Sequence, residues 1–237
     1  MTYIAPIRRK IESWIWYEEN MPKSNYWGNQ PEHDAFRRKY DLDCVLTNGN
    51  LYADTLFSLW RPFRFTLVRM HGYDVLKKYG NINQKINFVR AIMEGDNLEK
   101  LLPNKEPIVK KLSYLFELGQ GRENVFILPD RSLNTERAQA PFWDYMPAFL
   151  AESFAGGAFS KYWSGEEQYK KWLIEQDLIV FFEGVLVSEN IKDLSGSGDV
   201  RNGLPPDGIE AMERMIDNYI EILELRKTLL NKWKSFG

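Results

Sequence analysis

The chain has 237 residues, of which 44% are hydrophobic and 27% charged, with a formal net charge of −2. That composition excludes a disordered chain, and the length suits one large domain. Charge is uneven, at +3 over residues 1–80, −1 over 81–160 and −4 over 161–237, so a basic patch has room only in the first third, and a protein basic throughout, as dedicated nucleic-acid binders are, is excluded.

Aromatic residues make up 14% of the chain, several of them near the start as Trp14, Trp16, Tyr17, Tyr26 and Trp27. They imply a thick aromatic core or, on the other reading, a partner surface or stacking platform. The one cysteine, Cys44, cannot close an internal disulfide. Residues 1–10 lack a signal-peptide apolar core, and the most apolar run, Leu178 to Phe182, ends at Glu183, far short of the about 18 residues a membrane span needs. These features predict a cytoplasmic protein without membrane contact.

In chain order, residues 5–19 fit an amphipathic helix through Ile7, Ile11, Trp14 and Ile15, with a strand over 13–17 as the competing reading. Residues 18–30 read as a long loop, and Pro31 opens a short helix. Asn48-Gly49 is a turn signal between apolar segments. Strands are expected at Val45-Leu46, over Leu51 to Trp60, and over Phe63 to Met70, where Phe63, Phe65 and Leu67 alternate with Arg64 and Thr66. Together they predict a small antiparallel sheet.

The middle of the chain turns helical. Ile82 to Met93 carries helical spacing, and Pro107 opens another helix with Ile108, Leu112, Leu115 and Phe116 on one face, stopped at Gly119 and Gly121. Val125 to Leu128 is a short buried strand closed by Pro129. Helices resume near Phe142, and Ser164 with Glu167 forms a capping-box pattern before Tyr169, Trp172 and Leu173. Residues 195–208, rich in Gly, Ser and Pro, read as a mobile linker. Their glycines match neither the dinucleotide spacing nor a P-loop. Last comes a long helix with Ile209, Met212, Ile216, Ile220 and Leu223 in one stripe, capped by Asp207 and Glu210. The chain thus divides into an α+β domain over 1–194, the loop 195–208, and a C-terminal helix over 209–237 packed on the domain.

Histidine occurs only as His33 and His71, neither in a ligand spacing, so no metal site and no cofactor is expected. Asp41 and Asp43 would share a face of a strand and could bind magnesium, but they also suit an ordinary turn. The segment Asp130 to Arg137, read as a loop after the buried strand, carries two arginines, an asparagine and hydroxyls able to hold an anion. Arg61 and Arg64 flank Pro62-Phe63 in the expected sheet. Arg61, Arg64, Arg131, Asn134 and Arg137 are therefore the candidate anion site.

The runs Arg38-Lys39-Tyr40 through Asn48-Gly49 to Trp60, and Asn134-Thr135-Glu136-Arg137 with Asp144 beyond, resemble an uncharacterised bacterial family of unknown function, a likeness that implies no activity. The sequence predicts a mainly helical α+β fold with a small antiparallel sheet covered by helices. It predicts a non-enzymatic binding protein that works through a protein partner or self-association and does not bind bulk nucleic acid. The alternative is an enzyme or regulator that meets a phosphorylated small molecule or nucleic acid through the arginines.

Overall fold

A computed structural model describes residues 53–57, 61–78, 96–102, 104–119, 122–140, 145–203 and 205–235. The readings placed on residues 5–49 and 82–93, among them His33, Cys44 and the Asp41/Asp43 pair, lie outside the described residues. The fold is α+β and mainly helical. Strand β1 (Ala53–Thr55) pairs antiparallel with β2 (Val125–Ile127), with Ala53 opposite Ile127 and Thr55 opposite Val125. Helices α1 (Arg61–His71), α2 (Tyr73–Lys78), α3 (Asp96–Leu101) and α4 (Glu106–Leu118) lie between the two strands in sequence. After β2 come α5 (Arg131–Gln139), α6 (Met146–Ser153), α7 (Glu166–Glu175) and α8 (Ile209–Ser235).

Two segments expected to be a strand and a loop are helical. The strand read over Phe63 to Met70 is α1, because Pro62 occupies its first turn, where a missing N–H is harmless. The buried residues are Pro62, Phe63, Thr66 and Leu67, a helical spacing, while Phe65 stays half-exposed. Residues 131–137, read as a loop, belong to α5. Asp130 caps that helix by accepting from the Ser132 N–H at 2.8 Å, so the polar residues that suggested a loop form its first turn. Of the strand read over Leu51 to Trp60, the described part pairs over Ala53–Thr55, and Leu56 and Phe57 have left the ladder.

Among the described residues β2 pairs with β1 alone, and side chains satisfy its other edge. Gln176 Oε1 accepts from the Ile127 N–H and Trp172 Nε1 donates to the Ile127 carbonyl, each at 2.8 Å. Arg226 of α8 donates to the Val125 carbonyl at 3.0 Å. The edge is thus closed by α7 and α8, whose residues also supply much of the core. Helix α6 is buried nearly all round, as an apolar helix at the centre of a core must be. Around it Phe126, Phe149, Phe159, Trp163, Tyr169 and Trp172 form a continuous aromatic cluster with edge-on and tilted contacts at 4.9–6.4 Å.

Helix α8 is 27 residues long, or about 40 Å at 1.5 Å per residue. It packs on α4 and on the 3-10 turns at Arg122–Asn124 and Leu178–Phe181. Its buried face is broader than the stripe read from the sequence: Met215, Tyr219, Ile222 and Arg226 are buried, whereas Ile209 and Ile220 are half-buried. Tyr219 stacks on Phe57 with ring centres 3.8 Å apart. Asp207, expected as the cap of α8, instead pairs with Arg69 of α1 at 3.2 Å.

The glycine- and serine-rich segment before α8 is fastened rather than loose. Asn218 holds the Leu194 carbonyl at 2.8 Å, and Thr66 holds the Pro206 carbonyl at 2.8 Å. Its first turn wraps an anion that belongs to the chain, the carboxylate of Asp193. Oδ1 accepts from the Tyr145 hydroxyl at 2.6 Å and the Ser195 hydroxyl at 2.7 Å, while Oδ2 accepts from the Gly198 N–H at 2.5 Å. Gly196 and Gly198 adopt φ of +71° and +76°, which lets the backbone curl around the oxygens. Burial works against the charge, but the bonds from Tyr145, Ser195 and Gly198 outweigh it and hold the Asp193 carboxyl below the usual aspartate range.

A group whose pKa is lower in the folded state stabilises the fold above its unfolded pKa, and that stability fades as pH falls through the folded value. Melting temperature measured from pH 6 down to pH 3 should therefore fall less steeply for Asp193→Asn than for the parent. Equal slopes would show that the nest does not favour the charged form.

Candidate functional site

The five residues of the expected anion site sit on two helices. Arg61 and Arg131 open α1 and α5, and Asn134 is exposed on α5. The Arg64 guanidinium lies over the rings of Phe65 and Tyr73, at 5.6 and 5.5 Å. Arg137 is buried at 2% exposure, ion-paired with Asp54 of β1, and its guanidinium carbon is 5.3 and 5.1 Å from the ring centres of Phe126 and Phe149. Its surroundings are those of a core residue: one acid on the strand and two rings of the aromatic cluster. Expecting a solvent-facing Arg137 followed from reading 130–137 as a loop. On a helix, Leu133 and Arg137 are one turn apart and both turn inward.

A different place has the shape of a site. A cleft of about 290 Å³ lies where the chain leaves α6 and enters α7, lined by Ser153, Gly156, Lys161, Trp163, Ser164 and Glu166 among others. Its wall is built by a tight turn after α6. The Phe159 N–H returns to the Glu152 carbonyl at 2.5 Å, and the Ala158 N–H reaches the Glu152 carboxylate at 3.0 Å. Gly157 passes so close to that carbonyl that a Cβ there would stand 2.4 Å from the Glu152 oxygen, which leaves room for glycine alone. On the other side Gly165, at φ +153°, precedes α7. The expected capping box is shifted by one residue: Gln168, not Glu167, reaches back to the Ser164 N–H.

Two polar atoms of the cleft residues are buried without a hydrogen-bond partner, Ser153 Oγ and Trp163 Nε1. Ser153 is 1% exposed and Trp163 6%. Buried donors are nearly always satisfied in folded proteins, and leaving one unmet costs about 1–3 kcal/mol. The charged groups, by contrast, are taken. Lys161 bonds Glu136 at 2.8 Å, the Tyr162 hydroxyl bonds the other Glu136 oxygen, and Glu166 bonds Lys170 at 2.6 Å.

The shifted groups around the cleft all move away from neutral pH. The bonds from Lys161 and Tyr162 lower Glu136, the bond to Glu136 raises Lys161, and the bond to Glu166 raises Lys170. Burial first, then Glu136, raises Tyr162, and burial lifts Tyr169 well above its ordinary range.

Comparison with known proteins finds no match: no family model, no curated protein and no solved structure is significantly similar to this chain. Among the described residues, no helix is long and apolar enough to cross a membrane, and no group of three or more His, Cys, Asp or Glu could hold a metal ion.

Proposed function

We propose that this protein is a cytoplasmic binding protein rather than an enzyme, and that it seats a small ligand or a partner's side chain in the cleft between α6 and α7. The observation that carries the reading is the cleft itself, about 290 Å³ where α6 gives way to α7, whose lining residues Ser153 and Trp163 each bury a polar atom without a partner, Oγ and Nε1. Unmet buried donors cost stability, and such groups are kept where function needs them. The paired charges around the cleft favour binding over proton transfer. A chain with Cys44 as its one cysteine also suits a reducing compartment.

Ser153→Ala tests the premise. Removing an unsatisfied buried hydroxyl should leave stability unchanged or raise it by about 1 kcal/mol, read as the midpoint of urea unfolding at constant m-value. A loss of similar size would mean that the hydroxyl has a structural partner. A thermal-shift screen of small metabolites should then find compounds that raise the parent's melting temperature but not the variant's. Turnover of such a compound, followed by NMR in the same mixture, would reverse the choice between binder and enzyme.

A further inference from the structure

The segment over residues 193–203 is a strap tied to both ends of α6, the helix that leads into the cleft. At the start of α6 the Tyr145 hydroxyl donates to Asp193 Oδ1 at 2.6 Å and accepts from the Ser195 N–H at 3.2 Å. At the other end Arg201 Nε stands 3.7 Å from Glu152 Oε1. Short bonds join the two ties. The Gly198 N–H donates to Asp193, the Asp199 N–H to the Ser197 hydroxyl at 3.2 Å, and the Arg201 N–H to Asp199 Oδ1 at 2.9 Å.

Glu152 is also the residue that holds the cleft wall. Its carbonyl accepts from the Phe159 N–H and its carboxylate from the Ala158 N–H, so one residue fixes the turn after α6. Ala155, Gly156 and Ser160 of that turn line the cleft. The Glu152 side chain is 18% exposed and that of Arg201 60%. A carboxylate so shielded loses more than an exposed one when its cation leaves. The strap itself has the character of a segment that opens locally. Gly196, Ser197, Gly198 and Asp199 are exposed, and most of its bonds run between near neighbours in sequence. Its opening carries Arg201 away from Glu152.

We propose that the strap is a latch on the cleft wall. Closed, it keeps the Glu152 carboxylate against the Ala158 N–H; open, it takes away the cation and loosens the turn over residues 154–160. On the reading of the cleft as a binding site, which this step rests on, linkage makes the effect reciprocal. A ligand that needs the turn in place tightens the strap, and release of the strap weakens the ligand.

Amide hydrogen exchange of the full chain, followed by NMR, tests the latch without any ligand. Arg201→Ala removes the tie at Glu152, and Asp193→Asn loosens the strap at the Tyr145 tie. The Ala158 and Phe159 amides should exchange about threefold faster or more in each variant, the size expected of one partly exposed ion pair, while amides of α8 keep the parent's rates. Unchanged exchange at Ala158 and Phe159 in either variant, or a rise shared by α8, overturns the latch. The cleft reading stands or falls separately, on whether the thermal-shift screen finds a ligand.

Discussion

Arg226→Ala should cost the protein about 4 kcal/mol or more, a large share of the about 5–15 kcal/mol by which domains of this kind are stable. Arg226 is among the largest fully buried side chains, and its guanidinium donates to four backbone carbonyls. Nε reaches Asp177 at 3.2 Å, Nη1 reaches Glu123, and Nη2 reaches Val125 at 3.0 Å and Gln176 at 2.6 Å. The acceptors come from two separate segments, the entry to β2 and the end of α7, so one side chain on α8 joins three parts of the fold. Truncation removes hydrogen bonds from a charged donor, worth about 1.5–3 kcal/mol each, and leaves buried carbonyls unmet. Arg226→Lys keeps the charge but not the planar fork, and should lose about half as much. Urea unfolding followed by circular dichroism measures both. A loss below about 1 kcal/mol for the alanine variant would show that water or a neighbour replaces the fork, and that α8 is held by its apolar face alone.

Nothing in the sequence marks Arg226 as central. It stands with Lys227, Lys232 and Lys234 at the end of a helix, where basic residues ordinarily serve the helix dipole. Its partners are carbonyls about 50 and 100 positions away, and no periodicity registers a contact with another segment's backbone. What the sequence does register is local: Pro107 and Gly119 bound α4, the apolar run at Val125 gives β2, and the spacing from Met212 to Leu223 gives α8. It misleads at α1 because Phe63, Phe65 and Leu67 fit a period of two as well as Phe63 and Leu67 fit one of 3.6, and Pro62 decides for the helix. It misleads at Asp130 because a helix cap and a polar loop use the same residues. The cleft is the least legible part. Ser153 and Trp163 carry no motif, and their significance is burial without a partner, a property that exists only once α6 and α7 are in place.

The pair Asp54–Arg137 offers the second large effect, and its asymmetry distinguishes a structural arginine from a ligand-binding one. Arg137 is 3% exposed by side chain and Asp54 20%; the carboxylate also accepts from the Thr55 N–H at 2.7 Å. Asp54→Ala strands a buried guanidinium and should cost about 3–5 kcal/mol. Arg137→Met keeps apolar volume between Phe126 and Phe149 and leaves behind a carboxylate that can reach water, so it should cost less, about 1–2 kcal/mol, part of that being the lost cation–π contacts. Combining the two removes the stranded charge, and the double variant should be more stable than Asp54→Ala alone, with a coupling energy above about 1 kcal/mol in a double-mutant cycle. The ordering follows from which partner sits deeper. An Arg137 reserved for an external anion would behave differently: Arg137→Met would leave the ligand-free protein as stable as the parent, and the cycle would show no coupling to Asp54. Denaturation midpoints for the four proteins decide between these, and that second pattern would return Arg137 to the anion site together with Arg64 and Asn134.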